Sequence, residues 1–220
     1  MIYQLLAPAA LIESAAQAEI TEGAQLIRPA ETNWYLVLVK HAGDTRAVLV
    51  GPWTGWGIAT LPEAAEVLWL KFRLGTSLTS RPVQTYRDQE VVLPPATRHS
   101  FWLNDRAWTV PTFEEAELFA ERLERKGVLT FDPFIGEVLR GEASDLAART
   151  VRHRLVQATG LSLNHIRQVQ RAQQAAEMLR QGIPIPETVY RAGYFDQPHL
   201  TRSLRRWVGY TPAHLLRPNR

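Results

Sequence analysis

The chain has 220 residues, 45% of them hydrophobic, with 25 basic and 22 acidic side chains and no cysteine. That length and apolar content can bury a real core in one or two domains, while the missing cysteine excludes disulfides, thiolate zinc sites and cysteine nucleophiles and suits a reducing compartment. The net charge of +3 is unevenly placed: from Arg140 onward there are thirteen arginines, no lysine and five acids, net +8, whereas residues 1–139 carry twelve basic and seventeen acidic residues, net −5.

Residues 1–30 are alanine-rich and weakly patterned, and predict a short helix and an entry loop. Met1–Ala18 is apolar, and Ala16-Gln17-Ala18 resembles a signal-peptide cleavage site, but the first basic residue is Arg28, so the positive leader of a signal peptide is missing. No run approaches the roughly 18 apolar residues of a membrane span. No membrane association and a cytoplasmic location are therefore expected. Trp34–Lys40 and Arg46–Trp53 read as strands joined through His41–Thr45, with a Gly43-Asp44 turn signal. Ile58–Leu61 and Val67–Leu74 continue the series, Gly75 ends it, and Val91–Leu93 and Ser100–Leu103 add short strands. Several short strands with frequent turns suggest a small barrel or sandwich. Six of the seven tryptophans (Trp34, Trp53, Trp56, Trp69, Trp102, Trp108) fall here. They could line an effector pocket, but large rings more commonly fill the core of a small β-domain. His41 and His99 have no second ligand at metal spacing, so no metal and no cofactor are assigned.

Thr112-Phe113-Glu114-Glu115 reads as a capping box opening a helix to about Lys126. Phe113, Ala116, Phe119 or Ala120, and Leu123 form its stripe, and Gly127 stops it. The stripe could serve dimerisation or cover the β-domain. Phe131–Leu139 is a second short helix, begun at Asp132-Pro133. Leu163–Gln181 follows, with Ile166, Val169, Ala172, Ala176 and Leu179 on one face. At 1.5 Å per residue it spans roughly 28 Å, near the ~34 Å between successive major-groove faces.

Ile185–Leu216 contains a helix, a turn, a second helix and a stop. Ile185, Val189 and Ala192 share one face of the first helix, and Gly193 suits a turn needing positive φ. Asp196 is placed to cap the second helix, with Pro198 tolerated in its first turn. Leu200, Leu204, Trp207 and Val208 form a buried stripe, and Arg202 points almost opposite, flanked by Pro198, Arg205 and Arg206. Such a pair of helices is a helix-turn-helix, whose second helix enters the DNA major groove. Shifting this second helix back by 49 positions puts Leu200, Arg202, Leu204, Gly209 and Thr211 on Val151, His153, Leu155, Gly160 and Ser162, an internal repeat.

Gly193-Tyr194, Asp196, His199-Leu200, Arg202, Gly209 and Thr211-Pro212 follow the C-terminal signature of the AraC/XylS family of bacterial transcription regulators, and the chain resembles that family over about residues 132–217. The first copy departs from the pattern: Ser144-Asp145 stand where Gly193-Tyr194 stand in the second, and Ala147 replaces the usual serine. Together with the strand series, the resemblance implies an α+β protein: a small N-terminal β-rich sensing domain over 1–110, a linking helix over 111–131, and an all-α double helix-turn-helix DNA-binding domain over 132–220.

It further implies that Gln197, Pro198, Thr201 and Arg202 in the second copy, and Arg149, Arg152 and His153 in the first, contact bases. Arg fits guanine and Gln fits adenine, while Pro198 faces a thymine methyl. Arg167, Arg171, Arg205 and Arg206 are expected to hold phosphates, against the alternative of a solvated helix face. The implied function is sequence-specific transcription regulation without catalysis, with operator DNA and RNA polymerase as partners. A small-molecule effector and a homodimer stay open. The rival readings are a degenerate module that binds protein instead of DNA, and an enzyme. A methyl-accepting DNA-repair enzyme needs the cysteine this chain lacks, and no nucleophile–base pair or carboxylate pair is evident.

Overall fold

The computed structural model describes residues 3–6, 10–142 and 147–217, and strands dominate up to Phe131 while helices dominate after it. The chain divides into two compact units. The first holds the residues up to Ala24, Asn33–Pro52 and Thr60–Ser162; the second holds Gln25–Thr32, Trp53–Ala59 and Leu163 to the C-terminus. These units cut across the divisions expected at 110 and 132. The strands in chain order are β1 (Tyr3–Leu6), β2 (Ile12–Ile20), β3 (Ala24–Arg28), β4 (Tyr35–His41), β5 (Asp44–Val50), β6 (Gly57–Leu61) and β7 (Ala65–Phe72), then β8 (Thr76–Leu78), β9 (Glu90–Val92), β10 (Pro95–Thr97), β11 (Ser100–Leu103), β12 (Arg106–Thr109) and β13 (Leu129–Phe131). The helices are α1 (Ala116–Arg125), α2 (Phe134–Arg140), α3 (Ala148–Thr159), α4 (Leu163–Arg180), α5 (Ile185–Arg191), α6 (Gln197–Trp207) and α7 (Pro212–Leu215).

The first unit is built on an antiparallel sheet ordered β1-β2-β7-β4-β5-β9, with a β10-β11-β12 sheet and a β13-β8 pair beside it. Ala42 and Gly43, at φ 51° and 83°, turn the chain between β4 and β5. Two successive positive-φ residues match the twist of a two-residue hairpin. The helix expected within residues 1–30 is replaced by β1, β2 and β3. Alanine favours a helix in isolation, but β2 is paired on both sides, by β1 and β7, and pairing overrides propensity. Ala15 and Ala18 are buried in it, and Ala16 lies opposite Trp69.

Trp34 is the centre of the core here, stacked on Phe72 with ring centroids 4.0 Å apart and donating its indole N–H to the Thr76 carbonyl. Ala116, Phe119, Ala120 and Leu123 of α1 join the same core, so the α1 stripe covers the β-domain. The Thr112 capping box forms by half: Glu115 accepts from the Thr112 N–H at 3.0 Å, but the helix begins at Ala116 and Thr112 does not cap it. A preceding turn, in which the Glu115 and Ala116 N–H groups donate to the Thr112 and Phe113 carbonyls, takes the place of the expected first helical residues.

In the second unit, α4 presents Val169, Ala172, Ala175, Ala176 and Leu179 to Leu200, Leu204, Trp207 and Val208. Small alanines let α6 lie close. Ala30, fully buried, completes this core from the other end of the sequence. Its neighbours Glu31 and Trp53 exchange backbone hydrogen bonds at 3.0 and 2.8 Å, and the Arg28 guanidinium lies 3.3 Å from the centroid of Trp53. Among the described residues, no helix is long and apolar enough to cross a membrane.

Candidate nucleic-acid interface

Two local devices fix the direction of α6. The turn before it is a Schellman motif: Tyr194 N–H donates to the Val189 carbonyl at 2.9 Å and Gly193 N–H to the Tyr190 carbonyl at 3.2 Å, with Gly193 at φ 67°. The left-handed conformation there is what glycine supplies without steric cost. Asp196 then caps α6 by accepting the His199 N–H at 2.6 Å, with extended backbone at φ −153°.

Tyr194 ties turn to helix. Its ring is buried, packs edge-on to His199, and its hydroxyl lies 2.9 Å from that of Ser203. Thr188, fully buried in α5, and Thr211, which caps α7 by accepting the His214 N–H, complete the frame.

The inward stripe of α6 is Leu200, Ser203, Leu204 and Trp207. Gln197, Pro198, Arg202, Arg205 and Arg206 are exposed on the other side, with Thr201 half-buried at its margin. The Thr201 hydroxyl donates to the Gln197 carbonyl at 2.9 Å, which spends its proton on the backbone and leaves its oxygen as an acceptor. Arg206 lies over the ring of Trp207, 4.4 Å from its centroid.

Among the described residues of the C-terminal helices, the acids are engaged elsewhere. Glu177 is 3.7 Å from Arg180, Glu187 is 2.5 Å from Arg191, and Asp196 serves as the cap. The positive charge of Arg202, Arg205 and Arg206 is therefore uncompensated on its own face. Arg167 is exposed on α4 in the same way. Arg171 is half-buried: its guanidinium lies over Tyr194, 4.6 Å from the ring centroid, and its Nε is buried. One position before Ala172 of the apolar stripe, it is drawn inward by an aromatic ring that the helical spacing of α4 does not reveal.

Within the first unit, α3 places Arg149, Arg152 and His153 on an exposed face, at the i, i+3, i+4 spacing of one side of a helix. Leu155 is its buried anchor. Gln84 donates to the Val156 carbonyl and Arg87 to the Gly160 carbonyl, each at 3.1 Å, so the helix is docked on the Val83–Tyr86 turn. Arg154 forks onto Asp132 through two 2.7 Å hydrogen bonds, joining α3 to the start of α2. Ala147 precedes α3 and supplies no side-chain cap, unlike Asp196 before α6. Ser144 and Asp145 lie outside the described residues.

Two exposed aromatics were not among the expected site residues. Tyr190 and Phe195, at 86% and 92% relative exposure, stand on either side of the turn into α6. Tyr190 follows Val189 and so falls off the apolar stripe of α5, a signal readable from spacing. Phe195 sits in a turn, where no period applies.

Residues 142–218 match the family described as a helix-turn-helix domain. No curated protein matches the chain. Among solved structures, an apo lysine-to-alanine variant of ToxT from Vibrio cholerae strain SCE256 is similar with a TM-score of 0.43 and 11% identity, over 92% of this chain and 96% of that one. ToxT from Vibrio cholerae in a P21 form gives 0.41 and 7%, covering 97% of each chain. ToxT from Vibrio cholerae O395 gives 0.40 and 8%, over 97% of this chain and 96% of that one. Superpositions this loose set up no residue-by-residue correspondence.

Proposed function

We propose that this chain, whose C-terminal region matched over residues 142–218 is a helix-turn-helix domain of the AraC type, is a transcription regulator that binds its operator sequence-specifically. The observation that carries the reading is the outer face of α6, where Gln197 and Pro198 are exposed beside Arg202, Arg205 and Arg206, whose charge meets no acid among the described residues of the C-terminal helices. A helix held at its N-terminus by both a Schellman turn and an aspartate cap is a rigid element, and rigid presentation is what base readout in the major groove needs.

Arg202 is assigned to a guanine edge, Gln197 to an adenine, Thr201 to a donor on a base through its free lone pairs, and Pro198 to a thymine methyl. Arg167, Arg205 and Arg206 are assigned to phosphates, and Arg171 to bracing Tyr194. Arg149, Arg152 and His153 on α3 form the second contact of a double helix-turn-helix. The 18 residues of α4 between the copies span about 27 Å, close to the ~34 Å repeat of the major groove. Operator DNA is the primary partner and RNA polymerase the target of regulation.

The test is a salt titration of the full chain on duplex DNA. Each phosphate neutralised by an arginine should add about 0.9 to the slope of log K against log salt. A salt-independent affinity, or none for any duplex, would defeat the reading.

A further inference from the structure

The hairpin β11–β12 and the end of α1, both in the first unit, enclose an open cleft of about 490 Å³ lined by Arg106, Ala107, Trp108, Arg122, Arg125 and Lys126. Its charge follows from two periods meeting. On β12, Arg106 and Trp108 alternate with Ala107 and so share a sheet face. At the end of α1, Arg122, Arg125 and the C-cap Lys126 are spaced i, i+3, i+4 and lie on one side. Four cations and an indole result, with no acid in the lining. Glu121 and Glu124 lie on α1 and Asp105 precedes Arg106, but none of them lines the cleft.

We infer that this cleft binds a small organic anion carrying at least two negative charges and a flat apolar body that lies against Trp108. Cations in the last turn of a helix complement its dipole, and that alone would explain Arg122, Arg125 and Lys126. It does not explain Arg106, which comes from a strand. Nor does it explain the Arg122 Nε–H, which is buried and meets no acceptor among the described residues. The Arg122 guanidinium packs over the Phe119 ring, 5.9 Å from its centroid, which holds it beside the cleft. Trp108 is held for the purpose: its indole N–H donates to the Leu103 carbonyl at 3.0 Å and its ring meets Phe119 edge-on at 6.0 Å. The volume falls in the range of small-molecule sites. The inference does not rest on DNA binding, since every lining residue belongs to the strand-rich unit.

The experiment is calorimetric titration of the full chain, without DNA, at about 0.15 M salt to screen diffuse attraction. The probes are phenyl phosphate and isophthalate, two ring-bearing dianions that separate phosphate from carboxylate chemistry, with benzamide as the neutral control. At least one dianion should bind and benzamide should not. Arg125→Gln and Lys126→Gln, both on exposed side chains, should each weaken binding about two- to fivefold, as for an exposed charge pair. Arg98→Gln, an exposed cation of the same unit outside the cleft, should leave it unchanged. Three results would overturn the inference: no binding of either dianion, equal weakening by Arg98→Gln, or competition between dianion and duplex DNA for the cleft cations. The last would assign the cleft to nucleic-acid phosphates.

Discussion

The backbone N–H of Ala30 donates to the carbonyl of Trp207 at 2.6 Å, and Trp207 is the last residue of α6. The final carbonyls of a helix have no intrahelical donor, so a residue 177 positions earlier completes the helix that carries Arg202. Gln173 of α4 donates in turn to the Ala30 carbonyl at 2.8 Å, closing a small circuit among three segments.

A C-terminal fragment of residues 128–220 lacks this strap. It should unfold at a lower temperature than the same helices in the full chain, and bind duplex DNA more weakly in proportion to its folded fraction. Circular dichroism melts of both would show it. An equal melting temperature would mean that Ala30 contributes nothing.

Gly209 tests the same packing from the other side. It sits at φ 84°, and a Cβ built there would lie 2.8 Å from the Ile27 side chain and 3.1 Å from that of Trp56. Gly209→Ala therefore combines backbone strain with a clash, and should cost about 1–3 kcal/mol. A variant of unchanged stability would show that the strap does not press on the end of α6.

Gly193 has the same sign of φ but open space, with nothing within 4 Å of a built Cβ. Only the backbone term then applies. Gly193→Val should destabilise the chain by about 1–3 kcal/mol, whereas Gly193→Asn, which tolerates the left-handed region, should cost less than half as much. Equal losses from the two variants would contradict the turn geometry.

Tyr86 is fully buried and its hydroxyl has no hydrogen-bond partner among the described residues. Burial, offset in part by Arg81, pushes the phenol well above its ordinary value. The neutral form is favoured in the folded chain, so its contribution is complete below about pH 10, the unfolded value, and is lost as pH rises above it. Tyr86→Phe should be neutral or stabilising at pH 7, by up to about 1 kcal/mol, and should flatten the alkaline loss of stability. Denaturant melts at neutral and alkaline pH would measure both effects; a strongly destabilised Tyr86→Phe would mean that the hydroxyl is bonded.

Local chemistry was legible in the residues and distant pairing was not. Asp196, Gly193 and the Leu200–Leu204–Trp207 stripe act over three or four positions, and the structure forms the cap, turn and buried face that their spacing predicts. The identity of β2 depends on β7, some fifty residues away, and no window within residues 1–30 contains that partner. The Ala30 strap and the inward turn of Arg171 onto Tyr194 share this cause: each is set by what another segment brings to it. The charge of the C-terminal half was countable, but which acids stay free to offset it required the Glu177–Arg180 and Glu187–Arg191 pairs.

Specific reading of DNA by α6 is tested most directly by selection from a randomised duplex library with the full chain, Arg202→Ala, Arg206→Ala and His153→Ala. Arg202→Ala should cost about 1–3 kcal/mol on the selected site and relax preference at one or two base pairs. Arg206→Ala should weaken every duplex alike and lower the salt slope by about one unit. His153→Ala, on the helix without a side-chain cap, should change the selected site less than Arg202→Ala does. A site left intact by Arg202→Ala but reshaped by His153→Ala would contradict the assignment and move the reading helix to α3.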